Sequence, residues 1–195
     1  MHYVISDIHG CYNEYTKALK AVNFNDNDIL YVLGDCIDRG YASVRVLQDM
    51  MSRPNVIPIL GNHEYMAVKI LEDLCIEITE ENAESRIPAE TVQAYTDWMF
   101  HGGLEPFSEG MTVEDFSVPQ ILFSSADLNR VYFKDTCTIT GHTPTISERG
   151  NTGTVIKRNN HISIDCGCVF GYNLSIYCME TDEEVYIPAE FQIEE

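Results

Sequence analysis

Apolar residues fall along the chain in short runs that alternate with helix-spaced segments. Residues 2–6 read as a short buried strand, and residues 12–22 place Tyr12, Tyr15, Leu19 and Val22 at helical spacing. The run 29–33 has strand length, and residues 42–51 carry Val44, Leu47 and Met51 on one helical face. Residues 56–60 form a third strand, followed by a helix over 64–75 beginning beside Glu64. This βαβαβ order predicts a layered α/β fold with a parallel section.

The pattern changes after residue 75. Residues 76–98 are acidic, with Glu77, Glu80, Glu81, Glu84 and Glu90 and a break at Pro88, and read as a solvated helical cap. Short strands then follow over 136–140, 153–157, 161–165, 173–179 and 184–187. Asn159-Asn160 and Thr181-Asp182 are turns between them. No repeat, low-complexity stretch or linker divides the sequence, so 1–195 is expected to be one domain.

Composition narrows the partners. Lys and Arg total 12 against 31 Asp and Glu, for a formal net charge of -19. Such a surface repels a nucleic-acid backbone, so no nucleic-acid partner is expected. No apolar run approaches the roughly 20 residues of a membrane helix, and no secretory signal is read at the start, so no membrane partner is expected either. There are seven cysteines. Cys36, Cys137, Cys166, Cys168 and Cys178 lie in or beside apolar segments, which favours buried, reduced thiols and a cytoplasmic setting. Cys166-Gly167-Cys168 has no second pair at zinc-site spacing and is read as structural rather than as a metal or redox pair.

Each early strand runs into a polar cluster. These are Asp7-Ile8-His9-Gly10, then Gly34-Asp35-Cys36-Ile37-Asp38-Arg39-Gly40, then Gly61-Asn62-His63-Glu64. In open α/β sheets, sites form beyond the carboxyl ends of strands. Any one cluster alone reads as a turn or a helix start, with Asn62 a plausible cap. All three in order, each ending a strand, point to a site. Carboxylate, imidazole and amide donors form a mixed O/N set suited to Mn first, with Fe or Zn as alternatives. Asp7, His9, Asp35 and Asn62 would supply ligands, with Asp35 best placed to bridge two divalent ions. A second ion needs nitrogen from later in the chain, where only His101, His142 and His161 remain. His142 follows a strand in Gly141-His142-Thr143-Pro144, and His101 sits in Phe100-His101-Gly102-Gly103. His161 starts a strand with no glycine beside it and, with His2, is read as structural or surface.

Together with Gly141-His142, the three motifs resemble the calcineurin-like metallophosphoesterases. The Asp38-Arg39-Gly40 ending is similar to the phosphoprotein phosphatase branch in its small bacterial form. The segments 131–135, Gly141 to Thr145 and Ile164-Asp165-Cys166-Gly167 are similar to these enzymes too. The resemblance spans nearly the whole chain. It implies an αββα sandwich of two mixed sheets flanked by helices, and two divalent ions. Asp7 and His9 would bind the first ion, Asp35 would bridge, and Asn62, His142 and His101 would bind the second. Arg39 would grip phosphate oxygens. His63 would be the general acid, with Asp38 orienting its ring, while a bridging hydroxide attacks phosphorus in line.

Two departures stand out. The chain is shortened by a few tens of residues before His101, so His101-Gly102-Gly103 is either the ligand motif or a remnant of an earlier Gly-Gly turn. Position 125 is serine where related sequences often carry a phosphate-clamping arginine, with Arg130 nearby. The first expectation is a serine/threonine, or tyrosine, protein phosphatase acting on a phosphoprotein. The alternatives are a dinucleoside polyphosphate hydrolase, a catalytically weak relative that binds metal or phosphoprotein, and a purely structural domain.

Overall fold

The computed structural model describes residues 1–74, 79, 122–123 and 125–190. Strands β1 (His2–Ile5), β2 (Ile29–Val32) and β3 (Val56–Pro58) are joined through helices α1 (Tyr12–Ala21) and α2 (Ser43–Met51). They pair in parallel, with Tyr3 opposite Leu30 and Leu30 opposite Val56. Helix α3 (Asn62–Leu74) follows β3. After it come β4 (Thr138–Thr140), β5 (Ile156–Arg158), β6 (His161–Ser163), β7 (Asn173–Cys178) and β8 (Glu184–Pro188).

Among the described residues these strands form two mixed sheets. The larger has the order β3-β2-β1-β7-β8, with β7 and β8 antiparallel to their neighbours. The smaller has the order β4-β6-β5, with β4 parallel and β5 antiparallel to β6. The two-residue pleat of β1 explains the layering. Tyr3 and Ile5 point to one face and pack with Tyr15, Ala18 and Leu19 of α1 and Val46 and Met50 of α2. Val4 points to the other face and packs with Ile162, Ile164 and Tyr177 between the sheets. Fully burying a side chain such as Ile5 or Leu30 is worth about 1.5–3 kcal/mol, so both faces of β1 anchor the domain. Helices cover one face of the larger sheet and the smaller sheet covers the other, which gives three layers of the αββα sandwich among the described residues.

The predicted hairpin at Asn159-Asn160 is present. Both residues have positive φ, 55° and 57°, as a two-residue turn matched to strand twist needs. The expected strand over 153–157 begins later, at Ile156, because the Asn151 side chain accepts the N–H groups of Gly153 and Thr154 and spends them on a turn. Helix α3 starts at Asn62, two residues earlier than expected. The face assigned to α2 is the wrong one. Val44, Leu47 and Met51 are 66%, 37% and 87% exposed, whereas Val46 and Met50 are buried. Ala42 N–H donates to the Gly10 carbonyl just before α2, and this docking sets the rotation of the helix.

Cys36, Cys166, Cys168 and Cys178 are buried, but Cys137 is exposed. Burial pushes the Cys166 thiol up to about 11, and the contact with Cys11, then burial, raises that of Cys168, so both thiols favour the neutral form. No helix among the described residues is long and apolar enough to cross a membrane. The acidic segment 76–98, apart from Thr79, lies outside the described residues.

Candidate metal centre

Because β1, β2 and β3 run parallel, their exits lie side by side at one edge of the larger sheet. The chain turns there at a conformational cost. Asp7, His9, Asp35, Asp38, Arg39 and His142 all have positive φ, between 43° and 71°. Non-glycine residues rarely adopt this region, and such strain concentrates at functional sites.

The exits interlock. His9 N–H donates to the Asp35 carbonyl at 2.8 Å, and Asp7 N–H to the Gly34 carbonyl at 3.3 Å. The β2 and β3 exits meet so closely that a Cβ on Gly61 would lie 2.3 Å from both Asp35 N and Asp35 Oδ1, so only glycine fits there. His63 N–H donates to Asp35 Oδ1 at 3.1 Å, and His63 Nδ1 pairs with Asp38 Oδ2 at 2.8 Å. His9 Nδ1 lies 2.8 Å from the Ile37 carbonyl, which fixes the proton on Nδ1 and leaves Nε2 as an acceptor. The His9 and His63 rings stand edge to face, 4.7 Å between centroids.

The smaller sheet closes the site from its own side. The turn after β4 brings His142 N–H to Asp7 Oδ2 at 2.9 Å and His142 Nδ1 to Asn62 Oδ1 at 3.0 Å. Arg39 places Nη1 3.3 Å from His9 Nε2, and its guanidinium lies 5.5 Å over the Phe170 ring.

Sequence reasoning therefore named residues that the fold brings together: Asp7, His9, Asp35, Asp38, Arg39, Asn62, His63 and His142 are linked by these contacts. His101 lies outside the described residues. His161 is buried in the smaller sheet against Thr140, and His2 sits at the surface against Glu180. Ser125 accepts a hydrogen bond from Thr143 at 3.0 Å, beside the His142 turn. Arg130 lies over the Tyr132 ring instead, and Tyr132 in turn packs on His161.

Two acidic residues without an expected role also belong here. Asp165, at the exit of β6, is buried and interacts electrostatically with Asp7 and Asp35. Its place after an apolar strand was the signal available. Glu64 lies within the Gly-Asn-His-Glu motif and binds the β2 exit.

The donors fit divalent cations. His9, Asp35 and His63 can bring ligand atoms within 4.8 Å of one another. Asp7, Asp35 and Asp165 are 4%, 4% and 5% exposed. Burial, then repulsion from Asp165, holds the Asp7 carboxyl well above its usual range. Burial, then the charge of Asp7, pushes Asp35 up to about 8, and burial pushes Asp165 up to about 7. Three carboxyls crowded in one buried site hold protons that divalent cations, with Arg39 beside them, would displace, stabilising the carboxylates.

The profile of the calcineurin-like phosphoesterases matches residues 3–176. The chain belongs to this family.

The chain is 48% identical over 65 residues to a symmetrical bis(5'-nucleosyl)-tetraphosphatase of Wigglesworthia glossinidia brevipalpis, covering 32% of this chain and 24% of the relative. It is 41% identical over 71 residues to serine/threonine-protein phosphatase 2 of Salmonella typhimurium, covering 36% of this chain and 32% of the relative. The matched stretches thus span about a quarter to a third of these curated relatives. A solved structure described as a diadenosine tetraphosphatase superposes with a TM-score of 0.68 at 20% identity, covering 96% of this chain and 93% of that one, which supports the fold.

Proposed function

We propose that this chain hydrolyses phosphate esters at a two-metal centre held by Asp7, His9, Asp35, Asn62 and His142, with His101 assigned to the second ion on its sequence motif alone. The observation that carries this reading is the convergence of the strand exits of both sheets on one cluster of buried oxygen and nitrogen donors. Two divalent ions, Mn first, would supply Lewis acidity and an activated water there.

The chain's own residues do the rest. Arg39, exposed at the rim, binds phosphate oxygens through its planar fork. Asp38 orients His63 through Nδ1, so that Nε2 delivers a proton to the leaving oxygen. The carboxylates of Asp7 and Asp35 stay ionised once cations offset their repulsion.

For substrate, the net charge of -19 favours a phosphoprotein over a strongly acidic small molecule. A second reading, a dinucleoside tetraphosphate, is favoured by the names of the relatives. The test is to strip metal, restore Mn and follow hydrolysis of p-nitrophenyl phosphate, a phosphoserine peptide and diadenosine tetraphosphate. Metal-dependent turnover of the first supports the enzyme, and the ratio of the other two assigns the substrate. Metal binding with no turnover of any of them sinks the activity and leaves the weak, binding-only relative.

A further inference from the structure

Glu64 is the third residue of α3, where a carboxylate commonly reaches back to the N–H just before its own helix. It does so here: Oε2 accepts the Gly61 N–H at 3.1 Å. The same carboxylate also takes three consecutive N–H groups from the β2 exit. Oε2 accepts from Asp35 at 2.8 Å, and Oε1 accepts from Cys36 at 2.7 Å and Ile37 at 3.1 Å. One side chain thus satisfies four backbone donors belonging to two separate loops. Hydrogen bonds to a charged acceptor are about twice as strong as neutral ones.

What is held matters. Asp35 has a φ of 53°, a conformation its backbone does not adopt without restraint. Its carboxylate returns the contact by accepting the His63 N–H at 3.1 Å, one residue before Glu64. The result is a two-way clasp: the Glu64 carboxylate on the Asp35 backbone, and the Asp35 carboxylate on the α3 backbone. Releasing one half frees the other.

We propose that Glu64 is a positioning residue of the metal centre, fixing the strained Asp35 backbone so that the Asp35 carboxylate is preset for divalent cations that Glu64 itself does not ligate. This rests on the two-metal reading of the site. The role of an outer partner that orients a ligand is worth about 10–100-fold in metal affinity.

The test is a titration of the metal-free protein with Mn(II), free ion being followed by its EPR signal. It compares the parent with Glu64→Gln, Glu64→Asp and Val46→Ala. Gln keeps the shape but turns an NH2 group toward one pair of N–H donors. Asp keeps the charge but is one methylene short of spanning both loops. Val46 is fully buried in the core around α2 and serves as a control that loses stability without touching the site. The expected result is a Kd for Mn(II) raised at least about 10-fold in Glu64→Gln, with that of Val46→Ala within about twofold of the parent. Amide hydrogen exchange at Asp35, Cys36 and Ile37 accelerates in the Glu64 variants and not in Val46→Ala. A Glu64→Gln Kd matching that of Val46→Ala overturns the proposal. Should Glu64→Gln not fold, Glu64→Asp decides by the same criterion, and failure of both to fold overturns it by making Glu64 a general support of the fold. A parent that binds no Mn(II) fails at the earlier step and removes the two-metal reading along with this one.

Discussion

The two sheets contribute to the site in different ways. The larger sheet supplies Asp7, His9, Asp35, Asp38, Arg39, Asn62 and His63 from three adjacent parallel exits that brace one another through side-chain and backbone hydrogen bonds. Among the described residues, the smaller sheet hydrogen-bonds these ligand candidates through one turn, Gly141-His142, with its contacts to Asp7 and Asn62, and adds the buried carboxyl of Asp165 at the exit of β6. One half of the site is built by neighbouring strands; the other is docked onto it by packing between sheets. Damage to the first half should therefore abolish chemistry with the fold intact, and damage to the second should disturb assembly and chemistry together.

The largest effect expected falls in the braced half. General acids contribute about 10²–10⁴-fold, so His63→Asn should lower kcat by that order on a phosphoserine peptide, whose alkoxide leaves poorly. On p-nitrophenyl phosphate, whose leaving group needs no proton, the loss should be far smaller. Equal losses on both substrates would remove the general-acid role and leave the His63 side chain as a support for Asp38 and the His9 ring.

Next comes the docked half. A Cβ on Gly141 would lie 2.1 Å from Asp7 Oδ2 and 2.6 Å from Ser6 Oγ. Asp7 is buried and held by the His142 N–H, so it cannot simply swing away. Overpacking of this kind costs about 1–3 kcal/mol, at roughly 2–4 °C in Tm per kcal/mol for a chain of this size. Gly141→Ala should therefore lower Tm by several degrees and raise the Kd for Mn(II). Lost activity at unchanged Tm would mean that the turn moves freely and that the sheets are not locked through it.

Much of this was legible beforehand, for identifiable reasons. Strand exits carry polar clusters that no buried strand would tolerate, so the ligand candidates stood out from their apolar surroundings. The positive φ values at Asn159 and Asn160 follow from the known preference of asparagine for such turns. What could not be read was set by contacts distant in sequence. Val44, Leu47 and Met51 are as apolar as Val46 and Met50, and the choice between the faces is made where Ala42 meets Gly10. Glu64 has the sequence position of an ordinary helix cap, and nothing local says that it also holds residues 35–37. Asp165 gains its meaning from Asp7, which lies on a different sheet.

The helical layer behind the braced half gives a more modest effect. Val46→Ala removes buried methyl groups and should destabilise by about 1–3 kcal/mol, whereas Leu47→Ala on the exposed face should stay within about 0.5 kcal/mol. Urea denaturation reads both. Equal losses would show that a partner covers the outer face of α2 in solution.

The smallest effect belongs to the smaller sheet, remote from the chemistry. His161 is buried, its Nε2 lies 2.7 Å from Thr140 Oγ1, and its Nδ1 has no hydrogen-bond partner. The neutral ring, donating from Nε2, leaves only a lone pair unmet, but protonation would bury an unpaired N–H. Burial accordingly lowers the His161 pKa below the usual 6.5. With the folded value depressed, the unfolded chain binds more protons over the window just below pH 6.5, so stability rises with pH there. The contribution is fully present above about pH 6.5 and is lost as pH falls toward the folded value. His161→Gln should flatten that slope in urea denaturation series at pH 5.5 and 7.5, while Mn(II) affinity at pH 7.5 stays unchanged. A parallel loss of Mn(II) affinity would show that the smaller sheet carries His142 less rigidly than its two contacts require, and that the docked half depends on the packing of its own core.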